Sequence, residues 1–388
     1  MNPYSFLNPV TESNMFYGYQ PELERIVQKV TDRRPTSFFV IGGRSMGKTS
    51  LLRQVEQRLR LFGMENLASS GQQLLVIPIY LDMLQLGEIT LNDFYGKIAR
   101  LMSQALAAAS SSLAISEQVN TLLQSVKSAT EPFDTLVDAL DELIQTLQHS
   151  RLRVTLLIDD LWRVKHQDIE GIIVRNLRAL LIHPPLDKVV ACVITGSYSE
   201  YDSVITANSP LENLLILVDL HAFNEEQSLT LINESTESKI PPEVAQQVYI
   251  ETGGHPLLLQ YVMSELCDYE DWSALTAEDV YQATERFNRE RKDFHRWWEK
   301  LGEADRKIYA VFLREERASV DDLVRMMLSI PTEGSRNRII DRPMIEDSLR
   351  VLATMGLLRE YSDGMYALAG QWPARWFSLM HRTTMSLS

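Results

Sequence analysis

Five short apolar runs punctuate the first 220 residues, each pair separated by enough chain for a helix: FFVIG (38–42), LLVIPIYLD (74–82), VTLLID (154–159), VVACVIT (189–195) and LLILVDL (214–220). Their apolar residues are consecutive rather than alternating, the pattern of strands covered on both faces. The stretches between them repeat apolar residues at helical spacing, as in KTSLLRQVEQRL after the first run and FDTLVDALDELIQTLQ before the third. Doubly buried strands alternating with helices predict a parallel sheet with helices on each side. The Ala/Ser segment ALAAASSSLA (105–114) has little to pack with and reads as a helix end passing into a mobile surface loop, part of an insertion.

Past residue 222 the pattern changes. NEEQSLTLI, PPEVAQQVYIET and PLLLQYVMSELC read as helices, with Asn224 as an N-cap and Gly253-Gly254 as a helix stop. From about 303 three helical segments precede LLREYSDGMYALA, a hairpin about Asp363-Gly364. Three helices and a hairpin predict a winged-helix arrangement, and GQWPARWFSLMHRTTMSLS a short helix that frays out. The expected divisions are 1–222 for the sheet domain, 223–300 for a helical lid and 301–388 for the winged helix with its tail.

Composition changes this picture little: 45% hydrophobic and 23% charged residues over 388 positions suit a globular protein of two or three domains. A net charge of -14 argues against a surface built to neutralise phosphate backbones, leaving only a local basic patch for nucleic acid. Cys192 and Cys267 lack metal spacing; Cys192, inside an apolar run, is expected to be a buried thiol in a reducing cytosol. The opening MNPYSFLNPV is not a secretion signal, and no apolar run reaches the roughly 18 residues of a membrane span, so a cytoplasmic location is expected.

The chemistry sits at the first strand end. Gly42, Gly43, Arg44, Ser45, Met46, Gly47, Lys48, Thr49 and Ser50 fit a phosphate-binding loop that follows a buried strand and opens a helix. Glycines let backbone N–H groups wrap phosphates, and the helix N-terminus adds its positive dipole end. Lys48 is expected at the β and γ phosphates and Thr49 on Mg²⁺. The third run ends in Asp159-Asp160. Asp159 is the candidate Mg²⁺ ligand and Asp160 the candidate to orient or deprotonate water, with an N-cap pair for the next helix as the plainer alternative. Asp reaches one methylene less far than Glu, so hydrolysis is expected to be slow. Thr195 and Ser197 in ITGSYSE offer hydroxyls to the γ-phosphate, although many strands end in Gly-Ser turns. For the base, Phe16 and Tyr17 in MFYGYQPELERI and Pro256 in GGHPLLLQ are candidates. An N-terminal helix with an aromatic staple and a helix-starting proline are the plainer alternatives.

Taken in order, the Gly42–Thr49 loop, Asp159-Asp160, the Thr-Gly-Ser after the fourth strand, Gly254-x-Pro256 and the C-terminal winged helix resemble the STAND class of signal-transduction ATPases. These are AAA+ relatives close to the archaeal-type and bacterial AAA-like ATPases. The resemblance, over about residues 4 to 370, implies a P-loop NTPase core, ATP or ADP with Mg²⁺, and a winged helix that clamps the closed ADP state. It also implies homo-oligomerisation in the ATP state; no sensor repeat array or recognisable effector domain flanks the core, a departure from the family, so either a protein partner supplies them or this chain is a fragment. A second departure is Phe16-Tyr17-Gly18-Tyr19, where the family lead-in carries Phe-x-Gly-Arg. Arg175 and Arg178 in IIVRNLRALL are candidates for a finger onto a neighbour's γ-phosphate, against plain solvated surface charges.

A nucleotide switch and a DNA-loading ATPase similar to replication initiators or transposition regulators both remain on this reading, as does an ATP-holding scaffold. Glu346 and Asp347 open the expected recognition helix, which disfavours DNA, although Arg336, Arg338 and Arg342 lie just before. No residue separates ATP from GTP. Lys48→Ala is expected to abolish tight nucleotide binding; unchanged affinity by calorimetry would remove the phosphate-loop assignment.

Overall fold

The structure, a computed structural model, describes residues 2, 4, 6–68, 74–86, 90–109, 116–147, 151–161, 167–204, 209, 211, 213–328 and 340–380. It divides into two compact units, one made of Tyr19–Ile41 and Lys48–Val218, the other of Met1–Gly18, Gly42–Gly47 and Asp219–Ser388.

In the first unit, α1 (Gln20–Thr31) leads into β1 (Ser37–Ile41), and α2 (Lys48–Ala68) into β2 (Leu74–Asp82). Three helices follow, α3 (Leu91–Ala109), α4 (Glu117–Ser125) and α5 (Pro132–Thr146). Then β3 (Arg151–Asp159), α6 (Gln167–Ile182), β4 (Val190–Gly196), α7 (Tyr198–Val204) and β5 (Leu215–Asp219) complete the order. The sheet runs β2-β3-β4-β1-β5, with β2·β3, β3·β4 and β4·β1 parallel. All five expected strands are present, and β3 begins three residues earlier than its apolar run because Arg153 is buried within it. Its guanidinium donates to the carbonyls of Lys188 and Asp32, both at 2.7 Å, which satisfies a charge that composition alone would place outside.

The core of this unit is continuous, from Phe39 and Ile41 through Ile77, Ile79, Leu156 and Ile158 to Phe94, Tyr95, Leu140 and Leu143 on the helices. Cys192 is buried, as expected, and burial pushes its thiol up to about 12. The helix end of the Ala/Ser segment is the C-terminus of α3; residues 110–115 lie outside the described residues.

The second unit is built from helices. They are α8 (Glu225–Ser235), α9 (Pro242–Thr252), α10 (Pro256–Leu266), α11 (Ala277–Glu290), α12 (Asp293–Lys300) and α13 (Glu303–Phe312). Next come β6 (Ala318–Ser319), α14 (Val320–Leu328), α15 (Arg342–Thr354), β7 (Leu358–Glu360), β8 (Met365–Leu368) and α16 (Gln371–Met380). Asn224 caps α8 in a reciprocal box with Gln227, and Gly253 ends α9 in the left-handed region at φ 61°, both as the sequence indicates. The hairpin turns at Asp363-Gly364, with Gly364 at φ 76°. The two-residue β6 adds a third antiparallel strand, order β6-β8-β7, too short to leave a periodic signal. Aromatic rings knit this unit together: Phe294 contacts Phe287, Trp297, Trp372, Trp376 and Phe377 at centroid distances of 5.2 to 6.0 Å. Glu251 is fully buried and held by both terminal nitrogens of Arg375 at 3.0 and 2.6 Å. Among the described residues, no helix is long and apolar enough to cross a membrane.

His255, at the N-cap of α10, stacks on Trp297 with centroids 4.6 Å apart. Its Nδ1 accepts the Leu257 N–H at 3.2 Å, while its buried Nε2 has no partner among the described residues. Burial lowers its pKa from 6.5 to about 3. The unfolded chain therefore takes up this proton first, so folding loses no stability here above about 6.5 and loses it progressively as pH falls from there towards about 3. The expected contribution is up to about 1.4 kcal/mol per pH unit across that window. His255→Phe should flatten the pH dependence of the unfolding midpoint; identical slopes in the two proteins would overturn this reading.

Candidate functional site

Register brings the chemistry to the carboxyl edge of the sheet. Val40 is level with Thr195, Ile158 with Ile194, and Asp82 with Asp159, so Asp159 on β3 lies one strand from Thr195 on β4, and β4 is the neighbour of β1. Ligands of open parallel sheets bind at this edge.

Asp159 is 5% exposed and its carboxylate accepts three hydroxyl hydrogen bonds. Thr195 donates to Oδ1 at 2.6 Å, while Thr49 and Tyr80 both donate to Oδ2 at 2.8 Å. Hydrogen bonds to a charged group contribute about 1.5–3 kcal/mol each, and a buried carboxylate without them is strongly disfavoured. Thr195 is fully buried and also accepts the backbone N–H of Asp160 at 3.3 Å, so its hydroxyl holds the Asp159-Asp160 corner rather than standing free for a phosphate. Ser197 takes part in a reciprocal cap of α7, its N–H donating to Glu200 at 2.7 Å and its hydroxyl accepting the Glu200 N–H at 3.4 Å.

Tyr80 escaped the sequence reading. It sits on β2 beside Leu157, and the guanidinium of Arg53 from α2 lies 3.4 Å from its ring centroid. Burial, followed by the neighbouring Asp159 charge, raises the phenol well above its ordinary pKa, so it stays a donor. No local signal marks this tyrosine; only the pairing of β2 with β3 brings it to the carboxylate.

Asp160 is half-buried and adopts the left-handed region at φ 59°, a conformation that few residues other than glycine take. Such strain persists where surrounding structure enforces it and clusters at functional sites. α6 begins at Gln167, and residues 162–166 between lie outside the described residues.

The loop from Gly42 to Gly47 leaves β1 and opens α2 at Lys48. Ser45 and Gly47 have φ of 63° and 88°, which turn successive amides in the manner of anion-binding nests. Gly42, Gly43 and Met46 are buried, Arg44 and Ser45 exposed, and Gly47, Lys48, Thr49 and Ser50 half-buried. Within the second unit the Gly43 N–H donates to the Thr354 carbonyl at 2.7 Å, and a Cβ at Gly43 would come within 2.8 Å of Met355 Cα.

The remaining candidates are dispersed. Phe16 is buried and Tyr17 hydrogen-bonds at Glu234 and Ser235 near the end of α8. Pro256 is half-buried at the first position of α10. Arg175 and Arg178 are exposed on α6. Of the arginines weighed for DNA, Arg336 and Arg338 lie outside the described residues, whereas Arg342 pairs with Asp321 and Glu346.

The donor set suits Mg²⁺: a hydroxyl and a carboxylate oxygen, both hard ligands, meet at Thr49 and Asp159. Among the described residues no cluster of three His, Cys, Asp or Glu could hold a metal.

A five-stranded parallel sheet, a glycine loop opening a helix and a carboxylate tied to that helix's threonine define a P-loop ATPase. The chain belongs to the family of ATPase domains found predominantly in Archaea, whose model matches residues 16–262. Its fold is similar to that of a Walker-type ATPase of Pyrococcus abyssi, at 16% identity and TM-score 0.58 over 95% of this chain and 98% of that one. It is also similar to the ORC2 protein of Aeropyrum pernix, solved in ADPNP–ADP complexes, at 14% identity and TM-score 0.53 over 97% and 96% of the two chains. No curated protein matches it by sequence.

Removing one donor from Asp159 should be measurable. Tyr80→Phe is expected to lower unfolding stability by about 1–2 kcal/mol. Thr195→Val should cost more, because it removes both the donor to Asp159 Oδ1 and the acceptor of the Asp160 N–H. Chemical denaturation that ranks the two the other way would contradict this division of labour.

Proposed function

We propose that this ATPase binds ATP, hydrolyses it slowly and works as a nucleotide-controlled conformational or oligomerisation switch of the STAND type. In this reading the amides of residues 44–47 surround the phosphates, Lys48 contacts the β and γ groups, and Thr49 with Asp159 would hold Mg²⁺. The ion would supply charge neutralisation on the transferring phosphoryl group. Asp160 orients the attacking water, and its short reach keeps turnover low. Thr195 and Tyr80 fix the carboxylate, while Phe16, Tyr17 and Pro256 are assigned to the base. In this reading residues 1–222 serve as nucleotide core, 223–300 as lid and 301–388 as winged helix, the last formed by α13, α14, α15 and the three short strands.

One observation carries the switch: the glycine stretch of the phosphate loop packs within the same compact unit as α15, with the Gly43 amide bonded to the Thr354 carbonyl at 2.7 Å. A nucleotide that reshapes this loop must act on the Gly43–Thr354 bond, and α15 is the element that responds.

DNA loading is the second reading, supported by the fold shared with the Aeropyrum pernix ORC2 protein. Its cost lies on α15: Arg342 is paired with Asp321 and Glu346, and Arg350 with both oxygens of Asp219 at 2.9 and 3.0 Å. Phosphate contacts need cations that are not already neutralised.

Denaturing the purified protein is expected to release ADP, and exchanging ADP for ATP should change its mass by light scattering. An empty protein with one mass in both nucleotides would remove the switch.

A further inference from the structure

The three hydroxyls on Asp159 divide unequally between its two oxygens. Oδ1 accepts the Thr195 hydroxyl at 2.6 Å, while Oδ2 accepts both Thr49 and Tyr80, each at 2.8 Å. A carboxylate offers about four lone-pair positions, two on each oxygen. Among the described residues, Oδ2 is therefore filled and Oδ1 keeps one position open. Thr49 has a second duty at the ion in the reading above. Tyr80, 9% exposed on β2, has Asp159 as its hydrogen-bond partner.

The phenol is held in place by a cation. The Arg53 guanidinium lies 3.4 Å from its ring centroid, and Glu56, whose side chain is 15% exposed, anchors that arginine at 3.1 Å while also taking Arg60 at 2.8 Å. A cation over an aromatic face is attracted to the ring and draws electron density from it, which fixes the ring and makes the phenol O–H a stronger donor. Arg53 follows Thr49 by four residues on α2, and that spacing puts the two on one face of the helix. α2 thus reaches Asp159 twice, directly through Thr49 and indirectly through Arg53 and Tyr80.

We propose that Tyr80, backed by Arg53, is a positioning residue that makes this site selective for Mg²⁺ over Ca²⁺: by filling Oδ2 it limits Asp159 to one oxygen for an ion or for an ion's water. Mg²⁺ demands a compact octahedral shell, keeps several waters and is served by a single carboxylate oxygen, whereas Ca²⁺ gathers about six to eight oxygens and readily takes a carboxylate through both of its own. A carboxylate with one oxygen capped by two hydroxyls suits the first ion and denies the second a ligand. Thr49 cannot form that cap alone, because one hydroxyl leaves half of Oδ2 free. The inference rests on the nucleotide and Mg²⁺ reading of this site.

The test uses the full chain and the non-hydrolysable ATP analogue ADPNP, whose affinity is measured by calorimetry without a divalent ion, with magnesium chloride and with calcium chloride. The nucleotide's own preference between the ions cancels when two proteins are compared. Wild-type protein is expected to bind ADPNP more tightly with Mg²⁺ than with Ca²⁺, and Tyr80→Phe should reduce that preference about tenfold, the factor expected for one hydrogen bond to a charged group. Arg53→Met keeps an unbranched stem against the ring without the charge. It should shift the preference the same way by less, and it carries the test alone should Tyr80→Phe fail to fold. A merely structural loss would weaken both ions alike. An unchanged preference in the folded variant, or a wild-type preference for Ca²⁺, would overturn the proposal and leave the phosphate-loop reading intact. A wild-type protein that binds no ADPNP, or whose affinity ignores both ions, would remove that reading and this proposal together.

Discussion

A single buried carboxylate organises the carboxyl edge of the parallel sheet. Asp159 is carried almost out of water by an apolar strand, and a charge in that position persists only if donors meet it from every side. Three hydroxyls do so, from α2, β2 and β4, and each belongs to a different stretch of chain. The strand order makes this arrangement available. β3 lies between β2 and β4, so Tyr80 and Thr195 flank the aspartate, and the helix that follows β1 brings Thr49 across β4.

That arrangement also explains the unusual backbone at Asp160. With the Thr195 hydroxyl accepting its N–H, the residue is turned into the left-handed region just past the strand, where a side chain pays a conformational cost to stand apart from the sheet. The hydroxyl that the strand end offered as a phosphate contact is thus the brace of the acidic pair.

The second unit answers a different problem. Its helices carry polar groups inward, and arginines answer two sets of them, Arg375 at Glu251 and Arg359 at the Phe223 and Gly253 carbonyls, whereas His255 stacks on Trp297 with its Nε2 unpartnered among the described residues. The phosphate loop's glycine stretch joins this unit at Gly43, where a side chain would meet Met355. Gly43 is therefore required by close approach rather than by a turn, a use that a motif pattern does not separate from phosphate binding.

The sequence determined the five strands, although β5, with Ile216 40% exposed, is not covered on both faces as its apolar run suggested; it also determined the loop that opens α2, the Asn224 cap, the Gly253 stop and the Asp363-Gly364 turn, because each is written in consecutive residues through periodicity, capping or positive φ. It also delivered Thr49 and Asp159 as a pair, since both follow strands at recognisable spacing. Tertiary structure alone decided that Tyr80 would serve that aspartate, that Thr195 would brace it, that Arg153 and Glu251 would lie inside, and that β6 would complete the small sheet. These depend on register and on contacts between residues many positions apart, and no local preference encodes which distant partner will satisfy a buried polar group.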